Sequence, residues 1–351
     1  MGKRIVIMAG GTGGHVFPAL AVAQWFLEQG WTVSWLGTQK GLEAKVVPAN
    51  GIEIDWLSVV GVRGKGLSSK VMSVFKLIKA CGQAFAILRR RRPDVVLGMG
   101  GFVAGPGGLM AKLLNIPLVI HEQNRVPGTT NRLLAKVANR VLEAFPQSFK
   151  KDVNAFCTGN PLRKDFLQQG KAKEPLTGRP LRLLIIGGSQ GAQALNEAIP
   201  DALARLHDIE VRHQTGVAMQ EHVANHYQEL NINANATAFI NDMVAVYQWA
   251  DIIICRAGAM TVSEVAAMAL PAILIPLPNA IDDHQMANAR FLSETGAGFI
   301  LPQKDLNATN LIGLITNARQ QLAAMSKAAQ LCSRLDATEA VVKHCMSEVK
   351  P

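Results

Sequence analysis

Residues 1–20 read MGKRIVIMAGGTGGHVFPAL, and residues 179–198 read RPLRLLIIGGSQGAQALNEA. Each stretch runs from basic residues through a short apolar segment into a glycine cluster and then a helix-like pattern. A buried strand that turns through glycines into a helix is the opening unit of a doubly wound parallel sheet. The glycines let backbone N–H groups approach an anion closely, and the helix N-terminus adds positive partial charge. Two copies of one device predict two Rossmann-like halves.

The flanking sequence extends that reading. In the first half, the runs RIVIMAG, WTVSWLG, IEIDWLSV, DVVLGMG, PLVIHEQ and RVLEAF alternate with helical or loop segments. In the second half, LRLLIIGG, IEVRHQTG, ATAFIND, DIIICRAG, PAILIPLP and GAGFILP do the same. Such alternation predicts an α/β chain with parallel sheets covered by helices on both faces. The halves meet near CTGNPLRKD and a Lys-, Gly- and Pro-rich stretch ending at Pro180. We therefore expect domains at 1–162 and 163–337, with a closing helix, about 338–351, packing back on the first. Ligands of open parallel sheets sit beyond the carboxyl ends of the strands, so both glycine clusters are expected to face a cleft.

Composition narrows the functional classes. The 351 residues are 49% hydrophobic and 18% charged, which suits a globular chain. Apolar runs fall well short of the ~20 residues that cross a bilayer. Lys3 and Arg4 ahead of IVIMAGG read as a first buried strand rather than an export signal. The five cysteines lie far apart and form no C-x-x-C pair, so neither a zinc site nor a disulfide framework is indicated. The formal charge of +10 points to an anionic partner. From Trp56 to Pro93 there is no acidic residue, while Arg63, Lys65, Lys70, Lys76, Lys79 and Arg89 to Arg92 accumulate. Val71, Phe75, Ile78, Phe85 and Leu88 recur there at helical spacing. This fits an amphipathic crossover helix with cations at its negative dipole end, or a helix that also rests on anionic lipid. No aromatic-interleaved basic platform or recognition helix appears, so nucleic acid is not expected.

The glycine clusters fail two specific templates. Neither carries the lysine of a Walker A loop. Val16 stands where the third glycine of a dinucleotide fingerprint belongs, and neither following strand ends in the acidic residue that would hold a ribose. The clusters also differ. Gly187-Gly188-Ser189-Gln190-Gly191 supplies a hydroxyl suited to a phosphate oxygen, whereas Gly10-Gly11-Thr12-Gly13-Gly14 ends in His15, either a general base or a capping and packing side chain. Further polar residues fall at strand ends: His121-Glu122-Gln123-Asn124, the run Arg256 to Glu264, and Asp282-Asp283-His284-Gln285. Glu264 could cap N–H groups or accept the two hydroxyls of a ribose. The Asp-Asp-His group reads as a solvated turn rather than a metal site, and no D-x-D triplet occurs. Together these suit group transfer from a nucleotide diphosphate donor.

GGTGGHVFPALAVA, VGVRGKG, VVLGMGGFVAGP, HEQN, GNPLR, GGSQGAQALN and RAGAMTVSE, in that order, resemble the MurG family of bacterial peptidoglycan glycosyltransferases over essentially the whole chain. The resemblance implies a GT-B fold. It also implies transfer of N-acetylglucosamine from UDP-GlcNAc to the 4-hydroxyl of the muramyl sugar of lipid I, giving lipid II at the cytoplasmic face of the inner membrane. By motif, Ser189 and Arg163 would bind the diphosphate and Ile240 would contact uracil through its backbone. Glu264 would hold the ribose, Ala259, Met260, Thr261, Val262 and Ser263 would line the donor site, and Gln285 and Asn124 would contact the sugar. Thr12, Gly13, Gly14 and His15, with Gly100, Gly101 and Gly105, would face the acceptor and its diphosphate, with Thr12 to Gly14 also close to the donor. His15 corresponds to the family's candidate base. His284-Gln285 replaces a Gln-Gln pair of relatives, which changes one neighbour of the sugar contact. The resemblance implies no required cofactor and leaves divalent-metal stimulation open. Expected partners are UDP-GlcNAc, lipid I and anionic inner-membrane lipids, with other cell-wall synthesis or division proteins open. A lipid-borne acceptor tips the basic window toward a lipid-docking role. The alternatives are a GT-B relative, such as a UDP-GlcNAc 2-epimerase or a diacylglycerol glycosyltransferase, and a nucleotide-sugar-binding scaffold.

Overall fold

A computed structural model describes residues 2–59, 67–167, 170–188, 191–278 and 280–349, with only the backbone given for 67–74 and 281. Arg63, Lys65, Ser189 and the motif VGVRGKG fall outside the described residues, as do the side chains of Lys70 and Val71. The chain divides into two compact units, residues 1–163 with 335–351, and residues 164–334.

The first unit contains strands β1 (Arg4–Met8), β2 (Thr32–Gly37), β3 (Glu53–Trp56), β4 (Val95–Gly98), β5 (Leu118–Glu122), β6 (Arg140–Glu143) and β7 (Phe156–Cys157). Its helices are α1 (Gly13–Glu28), α2 (Glu43–Ala49), α3 (Leu67–Arg91), α4 (Ala104–Leu113) and α5 (Thr129–Leu134). The sheet is parallel throughout, in the order β3-β2-β1-β4-β5-β6-β7. Because a strand alternates its side chains, RIVIM feeds both faces. Ile5 and Ile7 join a core with Val22, Phe26 and Trp35, while Val6 and Met8 join another with Leu88, Val103 and Leu118. Each such side chain, fully buried, contributes on the order of 2 kcal/mol.

The second unit contains β8 (Leu181–Ile186), β9 (Ile209–Gln214), β10 (Ala234–Thr237), β11 (Ile252–Cys255), β12 (Ala272–Leu274) and β13 (Gly298–Ile300). Its helices are α6 (Gln193–Leu203), α7 (Gln220–Glu229), α8 (Met243–Trp249), α9 (Ala259–Ala267), α10 (His284–Ser293), α11 (Ala308–Gln320) and α12 (Leu322–Leu331). The parallel order β10-β9-β8-β11-β12-β13 again puts the first strand of the unit at the topological switch point. The chain then returns to the first unit as α13 (Ala337–Ser347), which packs on α1 and places Val341, Val342 and Cys345 in the core of Ile5 and Ile7. Arg140 of β6 pairs with Glu348 at 2.6 Å and lies over Phe156.

Two strand expectations change. The ATAFIND strand lies earlier, at Ala234–Thr237, because Asp242 is used as the N-cap of α8, accepting from Ala245 N at 2.9 Å. The two-residue β7 has no apolar run to announce it. The basic helix also departs from a simple amphipathic crossover. Ala80, Ala84 and Leu88 are buried, but Phe75 and Ile78 are 65% and 63% exposed. At its carboxyl end, Arg90 pairs with Asp55, and Arg91 pairs with both Asp55 and Glu53 of β3. Arg91 is largely enclosed as it ties β3 to the helix, whereas Arg90 keeps most of its side chain exposed beside Asp55.

Candidate active site

The first glycine cluster follows β1, whose end is fixed by Trp35 Nε1 donating to Ala9 O at 2.8 Å and Met99 N donating to Met8 O at 2.8 Å. Gly11 takes φ +96°, a left-handed backbone that favours glycine. Thr12 is the exposed N-cap residue of α1, and Gly13, Gly14 and His15 form the half-buried first turn. The turn is not the open anion cradle that its glycines predict. Gly11 N–H points inward and donates to Glu43 Oε2 at 2.9 Å. The other carboxylate oxygen, Oε1, accepts from Thr38 N at 2.9 Å and Thr38 Oγ1 at 2.7 Å. Glu43 is fully buried, so its charge is satisfied by these donors and pins β1, β2 and α2 behind the turn.

His15 is held from the side. Its Nδ1 lies 2.8 Å from Gln123 Oε1, at the end of β5. Gly100, with φ +96°, lies flat against the ring, where a Cβ would come within 2.8 Å of His15 Nδ1. Gly101, with φ +80°, passes so close to Gly10 that a Cβ would collide with the Gly10 carbonyl. Two glycines expected to face an acceptor thus first allow the loop after β4 to pack on the loop after β1. Gly105 sits in the first turn of α4 against Thr130 rather than beside the ring. Asn124 is turned back on Glu122, whose Oε1 accepts from Asn124 N at 3.0 Å. Arg163 closes this unit, half-buried.

In the second unit, the turn after β8 keeps Gly188 at φ +98° and Gly191 at φ +74°. A Cβ on Gly191 would strike the Thr215 carbonyl beyond β9. Asn196 of α6, fully enclosed, donates to that carbonyl at 2.9 Å and holds the two strand ends together. Beyond β11, Gly258 is the N-cap residue of α9, and the first turn carries no acidic side chain. Ala259, Met260, Thr261 and Ser263 belong to the first turns of α9, whereas the Val262 side chain is fully buried in the core. Glu264 lies one turn further in and accepts from the hydroxyl of buried Tyr247 at 3.1 Å, so it orients on α8 instead of capping the helix. Ile240 is buried in the loop after β10. Gln285 opens α10, with Oε1 accepting from Leu277 N at 2.9 Å. Asn288, on the same helix, donates to Ala257 O at 3.1 Å and ties α10 to the start of α9. Arg256 bridges to Ile275 O at 3.1 Å and Gln303 Oε1 at 2.6 Å. Burial lowers its pKa from the ordinary guanidinium value.

The expected donor residues therefore divide, with Thr12, Gly13, Gly14, Asn124 and Arg163 in the first unit and Ile240, the α9 set and Gln285 in the second. Among the described residues, no group of three His, Cys, Asp or Glu side chains could hold a metal ion. No helix among them is long and apolar enough to cross a membrane. Glu43, Tyr247, Asn196 and Asn288 had no assigned role in the sequence. Glu43 and Asn196 carried one advance signal, a position at a helix start beside a glycine turn, and Tyr247 and Asn288, inside their helices, carried none.

Comparison with known proteins gives the family of the chain. Residues 5–143 match the glycosyltransferase family 28 N-terminal domain, and residues 182–341 match the C-terminal domain of the same family. A protein of Methylococcus capsulatus is 57% identical over 353 residues, 99% of each chain. One of Tolumonas auensis is 50% identical over 98% of this chain and 99% of its own. Both are named UDP-N-acetylglucosamine--N-acetylmuramyl-(pentapeptide) pyrophosphoryl-undecaprenol N-acetylglucosamine transferase. The crystal structure of Acinetobacter baumannii MurG is 40% identical, with a TM-score of 0.85 over 98% of this chain and 99% of that one. A UDP-GlcNAc 2-epimerase from Neisseria meningitidis, 13% identical with a TM-score of 0.66 over 98% of this chain and all of that one, shares the fold alone.

Proposed function

We propose that this chain, which belongs to glycosyltransferase family 28, transfers N-acetylglucosamine from UDP-GlcNAc to the 4-hydroxyl of the muramyl sugar of lipid I, giving lipid II. The observation that carries the substrate pair is identity of 57% along the full length of a transferase so named. The geometry supports a single inverting displacement. His15 takes the proton from the acceptor hydroxyl as its oxygen attacks the anomeric carbon, the bond to the diphosphate breaks, and its electrons leave with UDP. One base and an in-line approach suffice for such a step, with no protein nucleophile. The N–H groups opening α9, uncapped by any acidic side chain in the first turn, suit the charge that grows on the leaving diphosphate. Arg163 and Ser189 are assigned to the same charge. Glu264, steadied by Tyr247, takes the ribose hydroxyls, Ile240 the uracil, and Gln285 and Asn124 the sugar.

The acceptor's carrier gives the α3 surface a role at the cytoplasmic face of the inner membrane. Exposed Phe75, Leu77 and Ile78 alternate with Lys76 and Lys79. Apolar side chains enter the headgroup boundary, and each nearby lysine adds about 1 kcal/mol against anionic lipid.

The test is incubation with labelled UDP-GlcNAc and a short-chain lipid I analogue. A labelled disaccharide on the lipid is expected, and UDP-GlcNAc alone gives no 2-epimer. Appearance of the epimer without acceptor, or failure to glycosylate any muramyl acceptor, refutes the reading.

A further inference from the structure

Resting on the proposed role of His15 as base, we propose that Gln123 and His121 form a positioning relay that keeps the His15 proton on Nδ1 and its lone pair on Nε2. The relay is anchored at the end remote from His15. His121 Nε2 lies 2.9 Å from Gly159 O, and a carbonyl oxygen only accepts, so Nε2 carries the hydrogen. His121 is fully buried, and desolvation lowers its pKa to about 4, so the ring is neutral and Nδ1 is an acceptor. Gln123 Nε2, 3.0 Å from that Nδ1, donates to it and also to His121 O at 3.1 Å. The Gln123 amide is thereby fixed with Oε1 toward His15, and an oxygen 2.8 Å from His15 Nδ1 requires a donor there. Of the two ring nitrogens, only Nε2 then remains to accept a proton. Gln123 is itself completely enclosed, and Asn160 Nδ2 holds its backbone carbonyl at 3.1 Å. Gly100 passes beside the Nδ1–Cε1 edge of the ring and Gln123 Oε1, where a Cβ would come within 2.8 Å of Nδ1 and crowd the imidazole against its amide partner.

The charged groups around the relay are accounted for. Glu122, next to it on β5, accepts from Asn131 Nδ2 at 2.9 Å and Gly128 N at 3.0 Å, and it favours the charged form of His121 less than burial opposes it. Glu43 is bound to Gly11 N and Thr38 behind the turn. A neutral amide in the relay orients His15 without placing a charge beside its Nδ1.

The direct test needs no substrate. Nitrogen NMR of histidine-labelled protein at pH 8 is expected to show His15 protonated on Nδ1 and bare on Nε2, whereas the opposite tautomer refutes the relay. Gln123→Glu keeps the shape but puts a carboxylate against Nδ1–H, which stabilises the imidazolium. The acidic limb of kcat with the lipid I analogue should move up by about one pH unit or more. An unmoved limb also refutes the relay. Gln123→Met should lower kcat about 10²-fold, the scale set by misplacing a catalytic group, with KM for UDP-GlcNAc unchanged. Unchanged kcat counts against the proposal. The expected tautomer in a protein that glycosylates no muramyl acceptor leaves the relay standing and removes the transferase reading instead.

Discussion

The turn after β1 and the turn after β8 look alike as sequence and differ in what lies behind them. The first has its innermost N–H turned onto the Glu43 carboxylate and presents an imidazole gripped by Gln123. The second is braced by backbone and amide contacts, Gly191 and Asn196 against the Thr215 carbonyl, with no acidic residue in the first turn of α6. A carboxylate at the base of a turn works against a second anion there, while neutral bracing does not. Under the proposed function, one supersecondary device serves two purposes, presenting a base in one unit and seating a diphosphate in the other. The glycines create the turn, and the residues behind them decide its use.

Substitutions can test this division directly. The largest effect is expected from His15→Ala, with kcat down by about 10²–10⁴-fold, the usual worth of a general base, and UDP affinity by calorimetry unchanged. Loss of UDP binding would merge the two roles. Gly191→Ala should do the reverse. Its left-handed backbone costs about 1–2 kcal/mol with any side chain, and the Thr215 clash adds to that. UDP affinity and the melting temperature are expected to drop while the pH profile of kcat stays in place. Glu43→Gln removes charge-assisted bonds worth roughly 1.5–3 kcal/mol each and loosens only the first turn. A lower kcat with unaltered UDP affinity is the expected result, and a weaker UDP complex would show that the turns are not separate.

Acid should act on both units through buried imidazoles, His121 in the first and His213 in the second. Desolvation lowers their pKa values to about 4 and about 3 respectively, below the ordinary 6.5. The unfolded chain therefore binds more protons between those values, so stability is full above pH 6.5 and is lost as pH falls toward 4. Melting temperatures measured from pH 7.5 to 4 should fall, and should fall less steeply in His213→Phe than in the parent chain. The smallest effect separates the arginines of α3. Lys76→Glu or Lys79→Glu should weaken binding to anionic vesicles by about fivefold or more, from the ~1 kcal/mol carried by each lysine. Arg91→Ala, already paired with Asp55 and Glu53, should chiefly lower stability.

The architecture was legible because it is written in local periodicity. Continuous apolar runs closed by glycine announced both sheets, and the RAGAMTVSE run announced a helix start beyond a strand. The details of the site were not legible, because they depend on which strands become neighbours. His15 and Gln123 are 108 residues apart and meet only because β4 and β5 follow β1 in the sheet. Glu43 opens a short helix to which the sequence attaches no role, and only three-dimensional packing reveals its burial. The HEQN motif drew attention to Asn124, whereas its neighbour Gln123 reaches the imidazole.

The return of α13 to the first unit has a consequence for biosynthesis. Val341, Val342 and Cys345 complete an interior begun by Ile5 and Ile7, so the first half to leave the ribosome is the last to be finished. While residues 164–334 emerge and fold, the nascent first half leaves the apolar flank of α1 uncovered. Chaperone capture during translation should therefore concentrate on that flank and end when α13 docks.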